Sequence, residues 1–173
     1  MTMNNSRNNM IEQLIRPNLF ESTTFAPVDP PEILSVNSGI PSDKIVRLNA
    51  NENPYGCSPK VTEFIASSLL NVYPDPLQRL ARSALAKYTN LNPSNIVLGA
   101  GSGELIDLII RIFIGGGDSI IEFDPSFGMY KFCAELAGGI VKTVPLDEEF
   151  QIDLQVTQDA ISKTTKVIFV NSP

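Results

Sequence analysis

The stretch "NIVLGAGSGELIDLIIRIFIGGGDSIIEF" (residues 95–123) decides the fold, because it holds one full repeat of a strand, a helix and a strand. The apolar run at 95–99 predicts a strand, the spacing at 103–114 predicts an amphipathic helix, and the apolar run at 118–123 predicts a second strand. Continuous apolar strands that alternate with helices are typical of a parallel sheet covered on both faces.

The same alternation continues toward the C-terminus. It predicts a helix at 128–138, a strand at 139–144, a helix at 154–162 and a strand at 166–170. The fold class is therefore α/β, with a mostly parallel sheet and flanking helices. Ligands of such sheets bind at the carboxyl ends of the strands. In this chain those ends read "GAGSGE", "DPSFG" and "NSP".

The N-terminal region has a different character. Residues 1–45 are polar and rich in Asn and Pro, which indicates an arm, partly flexible, with short helices near 8–15 and 30–38. Two further helices are predicted, one at 59–70 and one at 75–90 with Asp75 as its N-cap. We therefore expect an arm at 1–45 and a domain at 46–173.

Composition excludes several classes of function. The chain has 173 residues, a net charge of −6 and no histidine. The negative charge argues against nucleic acid or an anionic membrane as a partner, since both are bound by basic surfaces. Without histidine there is no Ser-His or Cys-His nucleophile pair and no His-ligated metal site, so we expect no metal centre. Cys57 and Cys133 lie far apart and indicate reduced thiols in a cytoplasmic protein.

The turn "LGAGSGE" (98–104) is the first candidate binding site. Glycines let the backbone approach a ligand, and a helix N-terminus offers N–H groups to an anion. A dinucleotide site would need a third glycine where Glu104 or Ile106 stands. An S-adenosylmethionine site resembles "GAGSG" more closely, but it usually has an acidic residue where Val97 stands. A third possibility is the phosphate of pyridoxal 5′-phosphate, bound by backbone N–H groups and by Ser102.

Three other segments could contribute to a site. "DPSFGMY" (124–130) places Phe127 at the carboxyl end of a strand, where its ring could stack on a planar cofactor or pack in the core. "NANENPYG" (49–56) gathers amides and a carboxylate before a Pro-Tyr-Gly turn. "NVYPDP" (71–76) holds Tyr73 in a loop between two helices. Each of these segments is also compatible with a purely structural turn.

Taken in order, these segments resemble the N-terminal part of class I/II, fold-type I pyridoxal-phosphate aminotransferases, and in particular the branch that acts on histidinol phosphate. The matching segments are "RLNANENPYG", "NVYPDP", "VLGAGSGELIDLIIRIFI", "GDSIIEFDPSFGMY" and "VPLDEEFQIDL". The resemblance runs from about Arg47 to Pro173, and "IRPNL" (15–19) fits the arm of the same branch. It implies a partial large domain preceded by an arm.

The resemblance assigns cofactor-binding roles by position. Ser102 and Gly103 would bind the phosphate of pyridoxal 5′-phosphate through backbone N–H groups, with Glu104 next to them. Phe127 would stack on the pyridine ring. Tyr73 would reach the phosphate bound by the other subunit of a homodimer. The family usually has Asp at the position of Gly103, so any side-chain contribution there is lost.

The resemblance also bears on substrate and activity. Tyr55 and Asn53 would lie near a small-molecule substrate that carries an amino group. In the family the lysine that carries the cofactor comes after the position of Pro173, so we expect no catalytic residue in this chain and no activity of the chain alone. The family's first strand, here 95–99, normally pairs with sequence beyond 173. The alternatives are a non-catalytic fragment or dimerisation partner, or an S-adenosylmethionine-dependent methyltransferase.

Overall fold

A computed structural model of the chain describes residues 12–20, 22 and 28–172. They form two compact units. One unit contains residues 98–172 together with 12–20 and 22, and the other contains residues 28–97. The predicted division into an arm (1–45) and a domain (46–173) is a different one and stays a prediction. Residues 8–11 of the helix predicted near 8–15 lie outside the described residues.

The described residues contain six α-helices and three strands. In chain order the helices are α1 (Pro31–Ser38), α2 (Pro59–Ser67), α3 (Arg79–Thr89), α4 (Ser102–Phe113), α5 (Met129–Ala137) and α6 (Leu154–Ala160). The strands are β1 (Ser119–Asp124), β2 (Ile140–Pro145) and β3 (Thr165–Ile168). All but one of the helices and strands predicted over 30–38 and 59–170 are therefore present, and no boundary moves by more than four residues.

The sheet has the order β2-β1-β3 and is parallel throughout. Strand β1 lies in the centre and is buried over five of its six residues, which include the apolar Ile120, Ile121 and Phe123. Ile120 and Ile121 are fully buried and point to opposite faces of the sheet. The predicted α/β class with a mostly parallel sheet is confirmed.

Each face of β1 supports its own core. On one face Ile120 packs with residues from α4, from its C-cap and from α5: Ile106, Ile110, Ile114, Cys133 and Ala134. On the other face Ile121 and Phe123 pack with Val144, Leu146, Ile152 and Ala160. The helices therefore flank the sheet on both sides, and the carboxyl ends of the strands are left at one edge.

The prediction of a strand at 95–99 is wrong. Residues 93–95 form a 3-10 turn, and residues 96–99 do not pair with any strand in the part of the chain that the structure describes. An apolar extended segment becomes a strand only when a neighbouring backbone supplies its ladder hydrogen bonds. Local pattern carries no information about that neighbour.

The unit at 28–97 contains the helices α1 to α3. Arg82 ties α3 to the turn Pro93–Asn95, because its Nε and Nη2 atoms donate to the Pro93 carbonyl oxygen at 2.9 and 2.6 Å. The predicted N-cap of α3 is corrected. The helix begins at Arg79 rather than near Asp75, because Gln78 adopts a left-handed backbone conformation with a φ of 52°. The Asp75 carboxylate nonetheless accepts a hydrogen bond from the Arg79 amide at 3.0 Å.

Candidate cofactor site

The glycine-rich turn enters α4 through two tight backbone features. Gly101 has φ 86° and ψ 173°, a conformation that is essentially restricted to glycine, and its amide donates to the Gly99 carbonyl at 2.9 Å. A Cβ atom built on Gly99 would lie 2.8 Å from Glu104 Oε2 and 3.1 Å from Leu105 Cδ2. Glycine is therefore required at 101 for its backbone angles, whereas a larger residue at 99 would displace the Glu104 and Leu105 side chains.

Ser102, Gly103 and Glu104 form the first turn of α4. The first amides of a helix have no acceptor within it, and the helix dipole places partial positive charge there. A Cβ atom built on Gly103 would meet nothing within 4 Å, so the surface above this turn is open. The structure thus brings three predicted site residues together in a turn suited to an anion.

The Glu104 carboxylate bonds to the backbone that precedes the helix. Its Oε2 atom accepts a hydrogen bond from the Ala100 amide. A glutamate at the third helical position that bonds a backbone amide before the helix satisfies a donor that would otherwise have no partner. Glu104 therefore holds the turn in shape.

Phe127 lies in the loop that follows β1, at the carboxyl end of the central strand, and 42% of its surface is exposed. Its ring meets Tyr130 edge-on, with centroids 5.8 Å apart. Tyr130 in turn stacks on Phe169 with centroids 4.3 Å apart. The loop begins with a cis peptide bond between Asp124 and Pro125. Phe127 is thus anchored on one side and half open on the other.

A cleft of about 360 Å³ lies beside this loop and contains an unexpected carboxylate. Glu122 on β1 is only 7% exposed, and its Oε1 atom accepts a hydrogen bond from the Thr143 hydroxyl at 3.2 Å. Burial raises the pKa of the Glu122 carboxyl, although the Thr143 hydrogen bond and the Lys131 ammonium oppose that rise. The Ser126 hydroxyl oxygen lines the same cleft, is buried, and has no hydrogen-bond partner among the described residues.

The other predicted site residues belong to the unit at 28–97. Asn53 stabilises its own turn, because its Nδ2 atom donates to the Gly56 carbonyl at 2.7 Å and its Oδ1 atom accepts from the Tyr55 amide at 3.1 Å. Tyr55 is 94% exposed and Tyr73 is fully exposed. Both phenol rings are therefore accessible for an external contact.

Sequence reasoning missed Tyr130 and Phe169 as supports of Phe127. Tyr130 was visible only as an aromatic residue three positions after Phe127, a spacing that brings side chains together at the start of a helix. Phe169 follows β3, and no local signal indicates that its ring reaches α5. Within the described ranges no helix has the length and apolar character needed to cross a bilayer, and no group of His, Cys, Asp and Glu there could hold a metal ion.

Comparison with known proteins agrees with this arrangement. The sequence profile described as "Aminotransferase class I and II" matches residues 43–173. A histidinol-phosphate aminotransferase from Roseiflexus castenholzii is 37% identical over 170 residues, which cover 94% of this chain and 46% of the relative. The chloroplastic histidinol-phosphate aminotransferase of Nicotiana tabacum is 39% identical over 164 residues, which cover 94% of this chain and 40% of the relative. The chain thus spans less than half the length of these relatives.

Solved structures show the same relationship. The histidinol-phosphate aminotransferase of Sinorhizobium meliloti, in complex with pyridoxal 5′-phosphate, superposes with a TM-score of 0.71 and 26% identity, covering 87% of this chain and 39% of that one. An aspartate aminotransferase from Thermus thermophilus shares the fold, with a TM-score of 0.70 at 21% identity. With the profile match over most of its length, the chain belongs to the class I and II aminotransferase family.

Proposed function

We propose that this chain provides the phosphate-binding turn and the ring platform of a pyridoxal-phosphate-dependent aminotransferase that acts on histidinol phosphate. The observation that carries the proposal is the turn Ser102–Glu104, an open helix N-terminus in the unit that also holds Phe127 at the carboxyl end of β1. The substrate class is supported by the relatives from Roseiflexus and Nicotiana.

The turn fits a phosphate by its chemistry. The amides of Ser102 and Gly103 begin α4 and can donate to phosphate oxygens, and the hydroxyl of Ser102 can add a third donor. The open space over Gly103 admits a bulky anion. The Oε2 atom of Glu104 is bonded to the Ala100 amide, so this oxygen is not free to face the phosphate.

Phe127 fits a planar ring by its geometry. The half-exposed ring is supported by Tyr130, so that one surface remains open for stacking. When bound, pyridoxal phosphate supplies an electron sink for amino transfer. The contribution of Ser102, Gly103 and Phe127 is to bind and orient that group, and Tyr55 and Asn53 are proposed to lie near the substrate.

We further propose a homodimer in which Tyr73 reaches the phosphate bound by the second subunit. The full exposure of its phenol supports this assignment. Analytical ultracentrifugation with and without pyridoxal phosphate tests whether the dimer forms. A Tyr73→Phe variant should weaken cofactor binding only at concentrations where dimers form.

A cytoplasmic location is also proposed. Cell fractionation tests the location, and recovery in an organelle would contradict it.

The cofactor assignment is tested by titrating the chain with pyridoxal phosphate and following the absorbance of the cofactor. Phe127→Ala should weaken binding about fivefold, which corresponds to a stacking contact of about 1 kcal/mol. Phe113→Ala serves as the control, because Phe113 is a comparably exposed ring at the opposite end of α4. Saturable binding of S-adenosylmethionine without binding of pyridoxal phosphate would contradict the proposal.

The substrate assignment requires the native assembly that contains this chain. The assembly is captured through the chain and assayed with histidinol phosphate and with phenylalanine as amino donors. We expect a clear preference for histidinol phosphate. Equal or faster turnover of phenylalanine would contradict the substrate assignment and leave the cofactor assignment intact.

A further inference from the structure

A row of three aromatic rings connects the loop after β1 to the end of β3. Phe127 meets Tyr130 edge-on at an interplanar angle of 88°, and Tyr130 lies nearly parallel to Phe169 at 10°. Phe169 is itself fixed, because its amide donates to the Ile121 carbonyl of β1 at 2.9 Å. The row therefore starts just after β3, which pairs with the central strand β1, and ends at Phe127.

Tyr130 holds the middle of this row through its ring more than through its hydroxyl. Both centroid separations, 5.8 and 4.3 Å, are at or near those favoured by aromatic pairs. The phenol donates to Asn171 Oδ1 at 3.3 Å, which is long for a hydrogen bond between two oxygen atoms. The Tyr130 amide also donates to the Phe127 carbonyl at 3.2 Å, so backbone and ring both bear on the same loop.

We propose that Tyr130 is a positioning residue that fixes the plane of the Phe127 ring for stacking on the cofactor. The inference rests on the proposed function, since it assigns to Tyr130 the preparation of a platform. A half-exposed ring on a loop would otherwise exchange between rotamers, and binding would then have to order it. The edge contact with Tyr130 orders the ring before the ligand arrives.

The experiment compares Tyr130→Leu and Tyr130→Phe in the full chain. Ile121→Val is the control, because the Ile121 side chain is fully buried on the opposite face of β1, and its shortening lowers stability while the backbone carbonyl that accepts from Phe169 is kept. The first measurement, made without ligand, is the fluorine NMR signal of fluorophenylalanine at 127, assigned by its loss in Phe127→Leu. The second is the Kd for pyridoxal phosphate itself.

We expect Tyr130→Leu to shift and narrow the Phe127 signal and to raise the Kd about fivefold. Tyr130→Phe should leave the Phe127 signal close to that of the wild type and keep the Kd within about twofold. Ile121→Val should change neither the signal nor the Kd. If Tyr130→Leu does not fold, Phe169→Leu replaces it, since it removes the ring beneath Tyr130 and should shift the signal in the same direction.

An unchanged Phe127 signal in the leucine variants, or a Tyr130→Phe variant as altered as Tyr130→Leu, would overturn the positioning role. A wild-type chain that does not bind pyridoxal phosphate would contradict the proposed function instead. In that case the ligand-free NMR comparison alone decides whether Tyr130 orders Phe127.

Discussion

The side-chain amide of Asn18 donates to the Glu135 carbonyl oxygen at 2.8 Å, joining residues that are 117 positions apart in the sequence. Arg16 makes a similar contact one residue further on, since its Nη2 atom donates to the Leu136 carbonyl at 2.8 Å. The carbonyl oxygens in the last turn of a helix receive no hydrogen bond from an amide within that helix. The segment around Pro17–Leu19 therefore completes the C-terminal end of α5.

Replacing Asn18 should loosen this end of α5. Asn18→Ala removes the hydrogen bonds that the side-chain amide donates to the Glu135 and Leu136 carbonyls at 2.8 and 3.3 Å, and we expect a loss of about 0.5–1.5 kcal/mol in the free energy of unfolding. Asn18→Asp should cost more, because it removes the donor and places a negative charge at the negative end of the helix dipole. Urea unfolding followed by circular dichroism measures both. Asn71→Ala, at an exposed position, is the control; an aspartate variant as stable as wild type would contradict the contact.

The two glycines that flank Ser102 should respond in opposite directions to the same substitution. A Cβ atom meets open space at both Gly101 and Gly103, so only the backbone conformation differs. Gly101→Ala should destabilise the chain by about 1–3 kcal/mol, because its angles are accessible only to glycine. Gly103→Ala should stabilise the chain by about 0.4–1 kcal/mol. Alanine fits the helical backbone angles at 103 and lowers the conformational entropy of the unfolded chain. Thermal unfolding of the pair tests this, and changes of equal sign would contradict the backbone assignment.

Asp75 should make the start of α3 sensitive to acid. Hydrogen bonds from the amides of Arg79 and Leu77 lower the pKa of its carboxyl below the usual value of 3.8. A lowered pKa contributes stability that is present above the unfolded value and is lost as the pH falls through the folded value. Asp75→Asn should therefore reduce helicity near neutral pH and behave as wild type at the acidic end. Circular dichroism across this range measures the difference, and a difference that persists once the Asp75 carboxyl of the wild type is protonated would contradict the titration.

The sequence predicts the centre of this fold well and its periphery poorly, for physical reasons. The run at 118–123 corresponds to β1, which is buried on both faces, so its apolar residues are enough to predict the strand. The run at 96–99 is equally apolar, but a strand also needs a partner, which no local pattern specifies. The turn Ser102–Glu104 follows from glycine and helix chemistry. The stacking of Phe169 on Tyr130, the residue that meets Phe127, could not be predicted, because it depends on tertiary contact between distant elements.

Glu122 supplies the last prediction, because a buried carboxylate opposes folding once it ionises. Burial raises its pKa above the usual value of 4.5, against the Thr143 hydrogen bond and the Lys131 charge, and the carboxylates of Asp124 and Glu135 add to the rise. With a raised folded pKa, the native state holds its proton longer than the unfolded state. Stability is thus unaffected well below 4.5 and decreases as the pH rises through the interval between the two values. Glu122→Gln keeps an oxygen that can accept from Thr143 but cannot ionise.

We therefore expect Glu122→Gln to match the wild type in acid and to exceed its free energy of unfolding at neutral pH. Chemical denaturation at a series of pH values measures the difference. Glu149→Gln is the matched control, because the same atoms change at an exposed position. A Glu122→Gln variant that is less stable than wild type at neutral pH would show that the ionised carboxylate has a favourable partner, for which Lys131 on α5 is the candidate, because its charge lowers the pKa of Glu122. The sign of this one difference thus decides whether the cleft beside Phe127 tolerates a neutral side chain or requires a charge.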